Sequence, residues 1–130
     1  MYIYERRKQF MAETIVTEEL KAVYSVLDEK KAEDISVLDI GELSTIADYF
    51  VIATGMNANH LDALVEAVEE TVEKNGWSIR QIEGKGKSGW VLIDCRDIVI
   101  HLFDARNRTF YDLARIWKDA KQVNPLEMDA

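Results

Sequence analysis

Trp90-Val91-Leu92-Ile93-Asp94-Cys95 and Ile98-Val99-Ile100-His101-Leu102-Phe103 are two apolar runs joined by only Arg96-Asp97. Two β-rich runs separated by two polar residues read as an antiparallel hairpin. On the first arm Trp90, Leu92 and Asp94 share one face, while Val91, Ile93 and Cys95 share the other. The second arm feeds into a helix expected from about Ala105 to Trp117. There Phe110, Leu113, Ala114 and Trp117 fall at i, i+3, i+4, i+7 and are expected to face a core. Arg108, Tyr111 and Arg115 cluster on a different side of that helix, and tyrosine framed by arginine is the composition of a protein contact.

Upstream of the hairpin, Tyr49-Phe50-Val51-Ile52-Ala53-Thr54 is apolar on both faces, as a central buried strand is. Gly55 ends it, and Leu61, Leu64, Val65, Val68 and Val72 mark one face of a helix from about Ala58 to Asn75. Glu66, Glu69, Glu70 and Glu73 make its other side acidic. Trp77 to Ile82 is expected as a returning strand, so strand, helix and strand imply a right-handed parallel crossover. Nearer the start, Ile35 to Ile40 reads as a strand. Leu20, Val23, Tyr24 and Leu27 mark a helix capped by Thr17. The organisation expected is a loosely held extension over 1–16, one α/β domain over 17–118 and a mobile tail over 119–130. Met11 is a second candidate start, which would make the first ten residues an upstream extension.

Composition narrows the function. The 130 residues are 48% hydrophobic, enough for one conventional core. No apolar run approaches the ~20 residues of a membrane span, and residues 2–10 carry Glu5, Arg6, Arg7 and Lys8 where a signal peptide would be apolar. One cysteine, Cys95, excludes an internal disulfide and fits a reducing compartment. Asp plus Glu outnumber Lys plus Arg by 24 to 16, for a net charge of −8. That charge disfavours nucleic acid as the main ligand and favours a basic protein.

Chemical motifs are weaker on inspection. Gly84-Lys85-Gly86-Lys87-Ser88-Gly89 matches a dinucleotide fingerprint in letters. It leads into a strand, whereas that fingerprint must open a helix, so a flexible hairpin connection is expected. His60 and His101 make no metal set; His60 reads as a capping residue and His101 as a structural one. A Cys95–His101 thiol–imidazole pair lacks a third orienting group. Asp39, Asp48, Asp94 and Asp97 offer carboxylates but no Asp-x-Asp on a strand, as magnesium-dependent nucleotidyl transfer would need. No catalytic residue, metal or cofactor is expected.

Asp48-Tyr49-Phe50-Val51-Ile52-Ala53-Thr54-Gly55, His60, Glu83-Gly84, Trp90, Asp94, Asp97, His101, Arg108, Tyr111, Leu113 and Trp117, in this order and spacing, resemble the ribosomal silencing factors, the RsfS or Iojap-like family. The resemblance spans Leu20 to Trp117. Two positions depart from it: Arg96 stands where the family usually has glycine, and Ala114 where it often has glutamate. The family fold is a mixed sheet, here of about five strands, flanked by helices and similar to nucleotidyltransferases. The resemblance implies a cytoplasmic, non-enzymatic translational repressor. It would bind the large ribosomal subunit through its protein fourteen and block association with the small one. Trp90, Asp94 and Tyr111 would be contact residues, with Cys95 and Arg108 beside them. It also implies a homodimer as a further form, with no membrane contact and no sequence-specific nucleic-acid binding. The competing readings are a divergent magnesium-dependent nucleotidyltransferase and a dimeric scaffold for another basic protein.

Overall fold

Residues 2–128 are described by a computed structural model; Met1, Asp129 and Ala130, the outermost residues of the expected extension and tail, lie outside them. The elements are α1 (Tyr2–Glu29), β1 (Glu33–Asp39), β2 (Tyr49–Gly55), α2 (Ala58–Lys74), β3 (Gln81–Glu83), β4 (Trp90–Asp94), β5 (Ile98–Asp104), α3 (Ala105–Tyr111), α4 (Leu113–Ile116) and β6 (Lys121–Gln122). The strands form one sheet in the order β3-β4-β5-β2-β1-β6. β2 and β5 pair in parallel, and every other neighbouring pair is antiparallel. The sheet is therefore mixed, with six strands against the five expected. The crossover also differs in detail. β2 and β3 point the same way, but β5 and β4 stand between them.

One face of the sheet is sealed by the two long helices. Leu20, Val23 and Leu27 of α1 and Leu61, Leu64, Val68 and Val72 of α2 are fully buried against Val51, Ala53, Val91, Ile93, Ile100 and Leu102. Each such side chain stabilises the fold by about 1.5–3 kcal/mol. His60 latches the helices together. Its Nδ1 accepts from Met56 N–H at 2.9 Å, which leaves Nε2–H to donate to the Lys30 carbonyl at 2.9 Å. Asn57 caps α2 by accepting from His60 N–H at 2.8 Å.

The opposite face is covered more thinly. Leu38, Ile40, Phe50, Ile52, Val99 and Phe103 form a second cluster, over which Leu113, Trp117 and Ala120 of the C-terminal segment pack. The segment expected as a mobile tail carries regular structure. β6 adds to β1, Val123 N–H donates to the Val37 carbonyl at 2.9 Å, and Pro125 is buried. At the other end, α1 starts at Tyr2 and passes through Thr17, which is therefore no cap. Its residues 5–13 are exposed.

Three further expectations are revised. Trp77 to Arg80 is not strand: the β3–β4 register ends at Gln81 opposite Asp94, and beyond it only Arg80 N–H donates to the Asp94 carbonyl, at 2.8 Å. The single helix over 105–117 is two, since Asp112 adopts φ 43°, ψ 58°; aspartate is one of the few residues that visits this left-handed region. The break moves Leu113 and Trp117 onto the core and leaves Phe110 78% exposed. Finally, Arg96 sits at φ 73° in the β4–β5 turn. Asp97 N–H donates to the Cys95 carbonyl at 3.1 Å, closing a γ-turn around it, and the Asp94 carboxylate accepts from Arg96 N–H at 2.8 Å.

Arg96 in its left-handed turn and the buried Glu19 each carry a cost that a substitution can remove. Glycine is free of the left-handed penalty, so Arg96→Gly is expected to raise stability by about 0.5–1 kcal/mol. A urea midpoint that rises at unchanged slope shows this, and an unchanged or lower midpoint contradicts it. The second concerns Glu19 of α1, only 7% exposed and with Oε1 lacking a partner among the described residues. Burial pushes its carboxyl up from 4.5 to about 7; Asp97 adds to this and Cys95 partly offsets it. Between those values the folded chain holds a proton that the unfolded chain has lost, so this group's contribution to stability falls as pH rises from 4.5 to 7. Glu19→Gln should remove that loss, its urea midpoint exceeding wild type at pH 8 by more than at pH 4.5; equal differences at both would count against it.

Candidate functional site

The thinly covered face carries the candidate site at its β4 edge. Trp90, Leu92 and Asp94 point to this face and are half-buried, while Val91 and Ile93 point to the helices and are buried. Tyr111 of α3 lies over Trp90 with ring centroids 4.4 Å apart, and Phe103 stacks on Trp90 at 5.1 Å. Phe110 stands edge-on to Tyr111 at 5.0 Å. Tyr111 is 38% exposed and Phe110 78%. The result is a contiguous aromatic plate facing solvent, of the residue types enriched at protein interfaces.

The plate is held from both ends. The glycine-rich connection before Trp90 joins the antiparallel β3 and β4, as the hairpin expected, but it is built around a 3-10 turn at Gly86–Ser88 rather than running loose. Gly86 N–H donates to the Asp62 carboxylate of α2 at 2.8 Å. A Cβ on Gly86 would overlap the Ala58 carbonyl oxygen and stand 2.7 Å from Asp62 Oδ1. Gly89 has φ 77°, and a Cβ there would overlap Asn107 and Asp104. The loop is thus pressed between α2 and α3, so the glycine spacing answers to packing rather than phosphate. Asp104 caps α3, accepting from Asn107 N–H at 2.8 Å.

Of the residues singled out from sequence, Trp90 and Tyr111 meet directly and Asp94 shares their face. Asp94 is already engaged with Arg96 N–H and with Arg80, 3.8 Å away. Cys95 is buried and Arg108 is half-buried. Cys95 is 5% exposed on the helix side, and burial, with Glu19 and Asp94 beside it, pushes its thiol up to about 12. His101 lies on the opposite side of the sheet, so the thiol–imidazole pair does not form. Arg108 is half-buried; its guanidinium donates to the Asp34 carbonyl, to Thr54 Oγ1 at 3.0 Å and to Ser36 Oγ at 3.3 Å. It pins α3 to β1 and β2, and so holds Tyr111 indirectly. Leu92 lies half-buried on the Trp90 face, as strand geometry places it, whereas Phe110 is exposed where the spacing predicts core. Phe110 was assigned to the core by a periodicity that Asp112 interrupts.

The carboxylates considered for metal do not make a centre. Asp48 is pushed up by burial and by Asp97, Asp39 and Glu13, so these acids share one end of the sheet. That end is where β2 and β5 begin, whereas ligand crevices of parallel strands lie beyond their carboxyl ends. Among the described residues no group of three His, Cys, Asp or Glu side chains is arranged to hold a metal ion. No helix among them is long and apolar enough to cross a membrane.

The family of ribosomal silencing factors active during starvation matches residues 13–130. The chain belongs to this family. The silencing factor RsfS of Bacillus subtilis is 36% identical over 101 residues, which are 78% of this chain and 86% of that protein. The chloroplastic protein Iojap of Arabidopsis thaliana is 35% identical over 98 residues, 75% of this chain and 41% of Iojap. A crystal structure from Chromobacterium violaceum superposes with a TM-score of 0.75 at 30% identity, covering 78% of this chain and 84% of the other. The resemblance in the Asp48 to Trp117 pattern is therefore borne out, and the matched family and the Bacillus subtilis relative carry the name of silencing factors rather than of enzymes.

In this chain the wedged glycine loop sets where Trp90 begins. Gly86→Ala should cost about 1–3 kcal/mol, the range for overpacking a filled site, whereas Lys87→Ala, exposed in the same turn, should change stability by less than about 0.5 kcal/mol. Chemical denaturation of both variants checks the contrast, and equal effects would mean the loop is not wedged.

Proposed function

We propose that this chain binds the large ribosomal subunit through its protein fourteen and keeps the small subunit from joining, so that translation falls. The mechanism is steric exclusion by a protein occupying a subunit-joining surface; no bond is made or broken. The observation that carries the reading is the aromatic plate of Trp90, Tyr111 and Phe110 on the one sheet face that long helices leave uncovered. Trp90, Asp94 and Tyr111 are the contact residues, flanked by Leu92 and Phe110. Cys95 and Arg108 act from behind, by packing β4 and by anchoring α3.

Charge supports the same orientation. The chain carries −8, and the exposed Glu66, Glu70 and Glu73 lie on α2, behind the sheet from the plate. Ribosomal RNA would repel that side, while a basic ribosomal protein would attract the chain as a whole. The absence of a membrane-length apolar helix among the described residues is compatible with a cytoplasmic site of action.

Co-sedimentation with isolated subunits tests the reading. Wild type should pellet with the large subunit and not the small one, and should lower the yield of joined subunits. Tyr111→Ala should weaken binding at least about tenfold, as loss of a central aromatic contact does. No binding to the large subunit at low salt would overturn the proposal.

A further inference from the structure

We propose that His101 is a positioning residue for the docking face: its imidazole accepts the Trp90 indole N–H and fixes the ring that the partner meets. The inference rests on the docking reading above and adds a residue that makes no contact with the partner.

The geometry settles the proton positions. An indole nitrogen can only donate, and it stands 3.3 Å from His101 Nδ1. Nδ1 therefore carries the lone pair, and the proton of the neutral ring sits on Nε2. An imidazolium would have no lone pair to offer. The surroundings keep the ring neutral: it is 5% exposed, edge-on to Phe50 at 4.9 Å and nearly parallel to Phe103, interplanar angle 7°. Burial alone lowers its pKa to about 4. His101 is thus a constant acceptor at neutral pH.

Packing does not account for a histidine here. Nε2 is buried and has no hydrogen-bond partner among the described residues. That unmet donor is a cost which leucine at the same position would not carry. What the imidazole supplies in return is the acceptor for Trp90. Without it the half-buried indole is free to swing toward water, leaving Tyr111, whose ring centroid is 4.4 Å away. Binding would then have to order the ring again, a cost that pre-organisation avoids.

The test compares His101→Leu, which removes the acceptor, with His101→Asn, whose amide oxygen can stand where Nδ1 stood. Two readouts are taken: affinity for the large subunit by titrated co-sedimentation, and the indole N–H resonance of Trp90 in the free protein, assigned by its loss in Trp90→Phe. In His101→Leu the resonance should move and exchange faster with water, and affinity should fall about tenfold without loss of thermal stability. His101→Asn should restore both. An unmoved resonance, a moved resonance with unchanged affinity, or an Asn variant as weak as the Leu variant overturns the proposal. Should His101→Leu fold poorly, His101→Met, with only a weak acceptor in similar volume, replaces it. If wild type itself fails to bind, the docking reading falls and this role with it, while the spectra still report separately on the hydrogen bond.

Discussion

Unequal covering of the two sheet faces is the constraint on which the rest of the structure depends. β5 is buried along Ile98 to Phe103, paired in parallel with β2 on one side and antiparallel with β4 on the other. Its Ile98, Ile100 and Leu102 face α1 and α2, which together fill that side. Its Val99, His101 and Phe103 face the other way, where among the described residues only α3, α4 and Ala120 just after them are left to cover the sheet. Those short pieces reach Phe50 and Phe103 but leave β4 partly open. An apolar surface left open beside well-ordered aromatics is where a partner gains most from excluding water.

Order in that surface comes from contacts behind it. Asp62 holds Gly86, Gly89 is wedged against α3, and Arg108 ties α3 to β1 and β2. These contacts lie beside and behind the plate and hold Trp90 and Tyr111 in place. The same restraint explains why the glycine-rich segment imitates a nucleotide loop. Close approach of backbone to a neighbour demands glycine whether that neighbour is a phosphate or a helix. A mixed α/β sheet likewise does not by itself imply catalysis, since function resides in the site rather than the fold.

Much of this was legible in the sequence. Two apolar runs either side of Arg96-Asp97 mark the hairpin and strand geometry sorts its first arm into two faces, while period 3.6 in α2 picks out Leu61, Leu64, Val68 and Val72 but not the buried Ala67 and Thr71. What was not legible depended on backbone conformation or on distant partners. Asp112 enters the left-handed region without any signal in apolar spacing, so Phe110 was placed inside and is outside. Arg108 looked like a surface cation because the carbonyl and hydroxyls it serves lie more than fifty positions away. Pro125 and several charges made the tail look unstructured, although two residues suffice to extend the sheet beside β1.

Backbone hydrogen exchange of the protein, free and bound to isolated large subunits, tests the docking face most directly. The account predicts added protection over Trp90–Asp94 and Ala105–Tyr111, with the acidic surface of α2 unchanged. Protection on α2 with none on β4 would contradict it.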